Sequence, residues 1–259
     1  MKFELDMTGK VAIVTGGSRG VGRGVVERFL GAGSEVVICG RKQPEAPPER
    51  DGRRAVFVAA DVRDLAQIDG VIDLAIERFG RLDVLVNNAG GAPPADAATA
   101  SPRFSEAILR LNLIAPLNFS QKANAVMQKQ DEGGVILNIA SVSALRPSPG
   151  AAAYGAAKAG LLSLTQTLAV EWAPKVRVNA VTAGMIRTEQ SQLHYGDEEG
   201  IRAVGATVPL GRMGEPRDVG DVCLFLVSSL ASYVSGASIL MHGGGEKPAY
   251  MSAAKPEPN

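Results

Sequence analysis

The stretch that most restricts the fold runs from Lys10 to Gly22. Lys10-Val11-Ala12-Ile13-Val14-Thr15 is a short, apolar, β-branched run, which reads as a strand buried on both faces. Gly16-Gly17-Ser18-Arg19-Gly20-Val21-Gly22 follows at once, and then a helical pattern with Val25, Val26, Phe29 and Leu30 apolar. A glycine-rich turn between a strand and a helix lets backbone N–H groups and the positive helix end approach a pyrophosphate. The spacing over Thr15, Gly16, Gly20 and Gly22 is T-G-x-x-x-G-x-G, not the commoner G-x-G-x-x-G. A plain glycine turn closing a βα unit is the competing reading. It is the weaker one, because a strand precedes the glycines and a helix follows them.

The rest of the chain repeats the alternation. Strands are expected at 34–39, 54–61, 82–86, 135–140, 176–181 and 238–241. Helices are expected between them, for example over Ile68, Val71, Ile72, Ala75, Ile76 and Phe79, which recur at helical period. The segment from Gln43 to Arg54 carries Pro44, Pro47 and Pro48 and reads as a polar loop. No linker or repeat divides the pattern. The expectation is α/β: one doubly wound, Rossmann-type parallel sheet of seven strands with helices on both faces, spanning residues 1–245 with an extension at 246–259.

Chemistry-bearing residues fall at the ends of these strands. The second strand ends at Gly40-Arg41-Lys42. A site for NAD holds the ribose 2′-OH with an acidic residue about 20 positions past the glycines. Here that place carries glycine and two cations, with Arg19 in the turn itself. Cations without a carboxylate suit a 2′-phosphate, so NADP(H) is expected over NAD(H). The alternative is a solvated Arg41–Lys42 pair. Asp61-Val62 ends the third strand, and Asp61 can accept from the adenine amino group, cap the helix beginning near Leu65, or do both. Asn87-Asn88-Ala89-Gly90 ends the fourth strand, and Asn112 sits in an apolar helix where its amide needs a partner.

Tyr154 and Lys158 lie four apart, one helical turn on one face, amid Ala151 to Ala153, Ala156, Ala157, Ala159 and Gly160. Such small residues leave room for something large. An ammonium beside a phenol favours the phenolate, so Lys158 is expected to lower the tyrosine's ordinary value near 10 and to make it an acid/base for an alcohol or carbonyl. Ser141 ends the fifth strand, and the loop from Val142 to Gly150 can bring its hydroxyl beside that phenol.

In this order and at these spacings, Thr15-Gly16…Gly20…Gly22, Asp61, Asn87-Asn88-Ala89-Gly90, Asn112, Ser141, Tyr154…Lys158 and Asn179…Gly184…Thr188 resemble the short-chain dehydrogenase/reductase family, including its 3-oxoacyl reductase-like members. The resemblance covers roughly Met7 to Gly244. It implies a nicotinamide cofactor, a homotetramer, and a catalytic tetrad of Asn112, Ser141, Tyr154 and Lys158. Tyr154 exchanges the proton, Ser141 bonds the same substrate oxygen, Lys158 also holds the nicotinamide ribose, Asn112 positions a relay water, and Thr188 holds the carboxamide. The implied cofactor-binding positions are Gly16, Ser18, Arg19, Gly20, Val21, Gly22, Arg41, Asp61, Val62, Asn88, Ala89, Gly90, Tyr154, Lys158, Gly184, Ile186 and Thr188. The family usually has proline where this chain has Ala183, which is expected to soften the backbone over the nicotinamide. The extension is either disordered or packed on a neighbouring subunit.

Composition excludes other classes. Lys+Arg and Asp+Glu are both 27, so the chain lacks the basic excess of a nucleic-acid or anionic-membrane binder. Two cysteines and two histidines without ligand spacing argue against a metal site. No apolar run reaches the ~20 residues of a membrane span, and no leader is evident, so a cytoplasmic protein is expected. The segment from Met185 to Arg212 reads as a lid. Its apolar members suggest an apolar ketone or alcohol substrate or, equally, packing against the protein's own core; His194 is either lid surface or substrate contact. The function expected is hydride transfer between the cofactor and a secondary alcohol or ketone. The alternative is a catalytically silent dinucleotide-binding sensor or assembly protein.

Overall fold

The computed structural model describes residues 5–254. Its elements, in chain order, are β1 (Val11–Thr15), α1 (Gly20–Gly31), β2 (Glu35–Gly40), β3 (Val56–Ala59), α2 (Leu65–Phe79), β4 (Val84–Asn87), α3 (Pro102–Leu109), α4 (Ala115–Met127), β5 (Gly134–Ser141), α5 (Ala152–Glu171), β6 (Val176–Ala183), α6 (Gln192–Tyr195), α7 (Glu198–Thr207), α8 (Pro216–Val227) and β7 (Ser238–Met241). The seven strands are all parallel, in the order β3-β2-β1-β4-β5-β6-β7. Strand order reverses between β1 and β4, and a crevice outside the carboxyl ends forms at such a point.

Alternation along each strand builds a core on either face. Ala12 and Val14 point to the side of α1 and α8, where Phe29, Leu30, Val219 and Leu224 are buried. Val11 and Ile13 point to the other side, against Ile68 and Val71 of α2 and Phe119 of α4. Phe29 and Phe119 are fully enclosed, one in each layer; truncating either to alanine costs about 3–5 kcal/mol.

The amino ends of the central strands are tied by charge. Asp83, just before β4, accepts from the Val11 N–H at 2.9 Å and from the Arg81 guanidinium at 2.6 and 2.8 Å. Lys10 and Arg81 then share Glu132, which precedes β5. Deeper in the sheet, the Asn87 amide donates to Asn138 Oδ1 at 2.9 Å, and the Asn138 amide donates to Thr165 Oγ1 at 2.9 Å. That buried chain joins β4, β5 and α5.

Three local expectations are corrected. The proline-rich stretch closes on a short antiparallel ribbon, Glu49–Arg50 against Arg53–Arg54, so the third strand begins only at Val56. The helix N-cap is Asp64, whose carboxylate accepts from the Ala66 and Gln67 N–H groups, and not Asp61. The helix carrying Asn112 opens into a π-helical turn at Arg110–Ile114. The extension from Glu246 includes a one-turn helix, Ala249–Ala253, and Glu246 pairs with Arg146; residues 255–259 lie outside the described residues.

Candidate active site

The glycine turn is fastened to β4 by Thr15 and Asn88. Thr15 Oγ1 accepts from the Asn88 and Ala89 N–H groups, each at 2.9 Å. The Asn88 amide donates to Thr15 O at 2.8 Å and Gly16 O at 3.3 Å. Gly16 has φ +65°, and a Cβ there would lie 3.2 Å from Ala89 Cα. A Cβ at Gly22 would lie 2.4 Å from Asn88 Nδ2. Only glycine lets turn, helix and strand come this close. The Gly20 N–H, at the start of α1, donates to Glu189 Oε2 at 3.1 Å and Oε1 at 3.4 Å. A carboxylate of the chain itself thus stands in for the phosphate the turn implies. This anion contact, with the glycine cradle, fits a dinucleotide cofactor.

At the carboxyl ends of β2 and β3, Arg41 and Lys42 are exposed. Asp61 is engaged by Arg63 through both oxygens, at 2.9 and 2.6 Å. That contact first, and Arg41 last, hold its carboxyl down at about 2. Val62 is buried, its side chain part of the core. Ser18 and Val21 of the turn are half-buried, whereas Arg19 is exposed. Gln190, turned to satisfy both groups, accepts from the Arg19 guanidinium at 3.2 Å.

Tyr154, Ser141, Lys158 and Asn112 come from three segments and meet at the carboxyl ends of β4 and β5. Glycines on α5 allow it. A Cβ at Gly155 would lie 2.9 Å from Ser143 O, so the turn after Ser141 rests on the helix where Tyr154 sits. A Cβ at Gly160 would lie 3.0 Å from Leu113, so the π-helical turn of Asn112 rests one turn later. The small residues around Tyr154 therefore admit neighbouring protein, not only a ligand. Gly90 lies between Asn112 and Lys158: a Cβ there would be 2.6 Å from Asn112 Oδ1 and 3.5 Å from Lys158 Nζ.

Burial governs the charges. Lys158 Nζ lies 5.6 Å from the Tyr154 ring centroid and donates to Ile139 O at 2.7 Å. It makes no salt bridge among the described residues, and burial lowers its pKa from 10.5 to about 8. Burial raises Tyr154 above its ordinary value, with hydrogen bonding to Ser141 pulling the other way. The expected lowering of the phenol by Lys158 is not found; in the free protein both groups are pushed toward their neutral forms. Asn112 is fully enclosed. Its oxygen accepts from the Gly91 N–H at 2.8 Å, and its amide donates to Gly91 O and Ile108 O, both at 3.0 Å. The side chain fastens the loop after β4.

β6 stays paired to its end, Ala183 lying opposite both Ser141 and Met241. Gly184 packs on His242, and Ile186 is bridged to Gly214. Thr188 rests against Gly20. A cavity of about 340 Å³ opens beside Val142, Leu145, Met185 and Leu240, with Arg146, His242 and Glu246 among its polar lining. That volume suits a small molecule. His194 is exposed on α6. Sequence reasoning missed Glu189, Arg63 and the clamping role of Thr15 and Asn88; the T-G and N-N-A-G pairs carried the signal for the clamp.

The family model described as enoyl-(acyl carrier protein) reductase matches residues 16–246. The chain is 37% identical over 242 residues to a 3α-hydroxysteroid dehydrogenase of Mediterraneibacter gnavus, covering 90% of this chain and 96% of that one. It is 32% identical to a 2-dehydro-3-deoxy-D-gluconate 5-dehydrogenase of Dickeya dadantii, covering 92% and 96%. The solved structure of Thermoplasma acidophilum aldohexose dehydrogenase in ligand-free form superposes with a TM-score of 0.84 at 30% identity, covering 96% of each chain.

Proposed function

The chain belongs to the short-chain dehydrogenase/reductase family, and from that premise we propose an NADP(H)-preferring enzyme that uses Tyr154, Ser141, Lys158 and Asn112 on a secondary alcohol or ketone. It is an NAD(P)-dependent oxidoreductase acting on CH–OH or C=O groups. The bound cofactor supplies or accepts the hydride.

The observation that carries the reading is a buried ammonium, salt-bridge-free among the described residues, that lies 5.6 Å from the Tyr154 ring and bonds to Ile139 O. Tyr154 retains its proton at neutral pH and gives it to a ketone oxygen as charge develops there. Ser141 donates to that same oxygen, an interaction that strengthens toward the transition state. Lys158 favours the phenolate left behind and is the candidate donor to the nicotinamide ribose. Asn112 holds Gly90 and Gly91, and so the floor of the site. Gly16, Ser18, Gly20, Val21 and Gly22 are the candidate pyrophosphate contacts. Ala89 and Gly90 line the cleft, and Gly184, Ile186 and Thr188 are candidates for orienting the carboxamide.

The preference for NADP(H) rests on exposed Arg41 and Lys42 after β2, with Gly40 where an acid would select NAD. The substrate is proposed as a ketone with an apolar body, in view of Val142, Leu145, Met185 and Leu240 along the cavity beside Gly184. The homotetramer that the family resemblance implies is proposed with it. The test is a panel of cyclic ketones, sugars and acyl thioesters with each cofactor, followed at the reduced-nicotinamide absorbance band. Turnover of an apolar ketone with a lower KM for NADPH is expected; a tenfold preference for NADH would refute the cofactor assignment.

A further inference from the structure

Helix α1 begins with its Gly20 N–H already bonded to both carboxylate oxygens of Glu189, 169 residues away. The contact is part of a wider clasp. Thr188 lies against Gly20, its Cγ2 3.5 Å from where a Cβ would stand. Gln190, with its amide turned to place the oxygen inward, accepts from Arg19 at 3.2 Å. Ser191, itself buried, accepts from the Thr188 N–H at 2.9 Å and donates its own N–H to Thr188 O at 3.0 Å. Three consecutive residues after β6 are therefore fastened to two consecutive residues at the start of α1.

A carboxylate and a phosphate compete for the same N–H and the same positive helix end. Glu189 is exposed, so nothing packed around it prevents its release. We propose that Glu189 is an internal anion latch: it closes the pyrophosphate end of the cleft in the free protein, must leave before the cofactor binds, and thereby sets cofactor affinity. The inference rests on the cofactor reading above. Its consequence is quantitative. A protein that is mostly latched binds with an affinity reduced by the fraction that is open. Once released, the carboxylate also stands near an incoming phosphate of like charge.

The test uses the full chain, unmodified and as Glu189→Gln and Glu189→Ala. Each is titrated with NADPH, NADH and inorganic pyrophosphate, by nicotinamide fluorescence and by calorimetry. Glu189→Ala, which removes the contact, is expected to bind all three about three- to tenfold more tightly, and Glu189→Gln, which keeps an uncharged acceptor, is expected to gain less. Gln190→Ala, which loosens only the Arg19 side of the clasp, should give a smaller gain and guards against a variant that folds poorly. Unchanged affinity overturns the latch, and weakened affinity makes Glu189 part of the bound site instead. If the unmodified protein binds dinucleotide and the variants match it, the latch alone falls. If none of them binds, the cofactor assignment falls and the latch with it.

Discussion

The two edges of this one sheet use charge in opposite ways. At the amino edge, Lys10, Arg81, Asp83 and Glu132 neutralise each other, and Asp83 also holds a backbone N–H of β1. At the carboxyl edge, Lys158 is buried and Tyr154 half-buried, Lys158 has no counterion among the described residues, and desolvation displaces both from their ordinary pKa values. The amino edge is arranged to hold strands in place. The carboxyl edge keeps groups whose charge can change during a reaction. If that contrast is right, mutations at the two edges should separate stability from turnover.

The largest effect belongs to Tyr154→Phe. If Tyr154 is the proton donor, as proposed, its removal should lower kcat/KM about 10³-fold, within the range for a general acid, while the melting temperature and dinucleotide binding change little. A variant that still turned over at a tenth of the normal rate would place the proton chemistry elsewhere. Asp83→Ala is the converse. It leaves the Val11 N–H without its side-chain acceptor and Arg81 with Glu132 alone, and should destabilise the fold by about 2–4 kcal/mol in chemical denaturation. Its kcat, measured well below the melting temperature, should stay within about twofold. A large loss of kcat would mean that the amino edge also shapes the site.

Lys158→Met tests the cost of the carboxyl edge. A lysine whose folded pKa falls from 10.5 to about 8 resists folding while it is charged. The folded form holds fewer protons than the unfolded form between those values, so stability rises with pH across that window, and the penalty is fully present below about 8. The methionine variant should lose activity and yet, without cofactor, be more stable at pH 7 by about 1–3 kcal/mol. That advantage should shrink as the pH is raised toward 10. A pH-independent difference would show that packing, not charge, decides it.

How much of this could be read in the chain depended on how local each cause was. The β1–turn–α1 unit was legible because β-branched residues, glycine spacing and helical period all lie within twenty residues. Tyr154 and Lys158 were legible as a pair because helical spacing alone aligns them. The direction of the Tyr154 shift was not, because it depends on desolvation that only the assembled fold supplies. Asp61 and Asp64 lie three apart before the same helix, and local pattern does not say which one caps it; Arg63 decides by occupying Asp61. The Glu189–Gly20 contact spans most of the chain, and no periodicity announces such a pairing. Gly155 and Gly160 resembled open space in the sequence, whereas their neighbours Ser143 and Leu113 come from other segments.

The smallest effect expected is at the thiols, and it bears on how rigid the carboxyl edge is. Cys39 lies in β2 just below the glycine turn, its carbonyl accepting from the Gly16 N–H at 2.9 Å. Cys223 lies on α8, deep in the opposite layer's core. Both are fully enclosed, and burial pushes both thiols up to about 12. At pH 8 about 10⁴ thiols stand for each thiolate, so neither should react with an aromatic disulfide reagent until the fold opens. Global opening would expose both cysteines together, at one rate that falls in parallel when cofactor is added. Local opening of the glycine turn would expose Cys39 first, and bound cofactor would then protect Cys39 alone. Mass-resolved labelling distinguishes the two outcomes: equal rates make the turn as rigid as the paired amino edge, whereas faster labelling of Cys39 makes the carboxyl edge mobile as well as reactive.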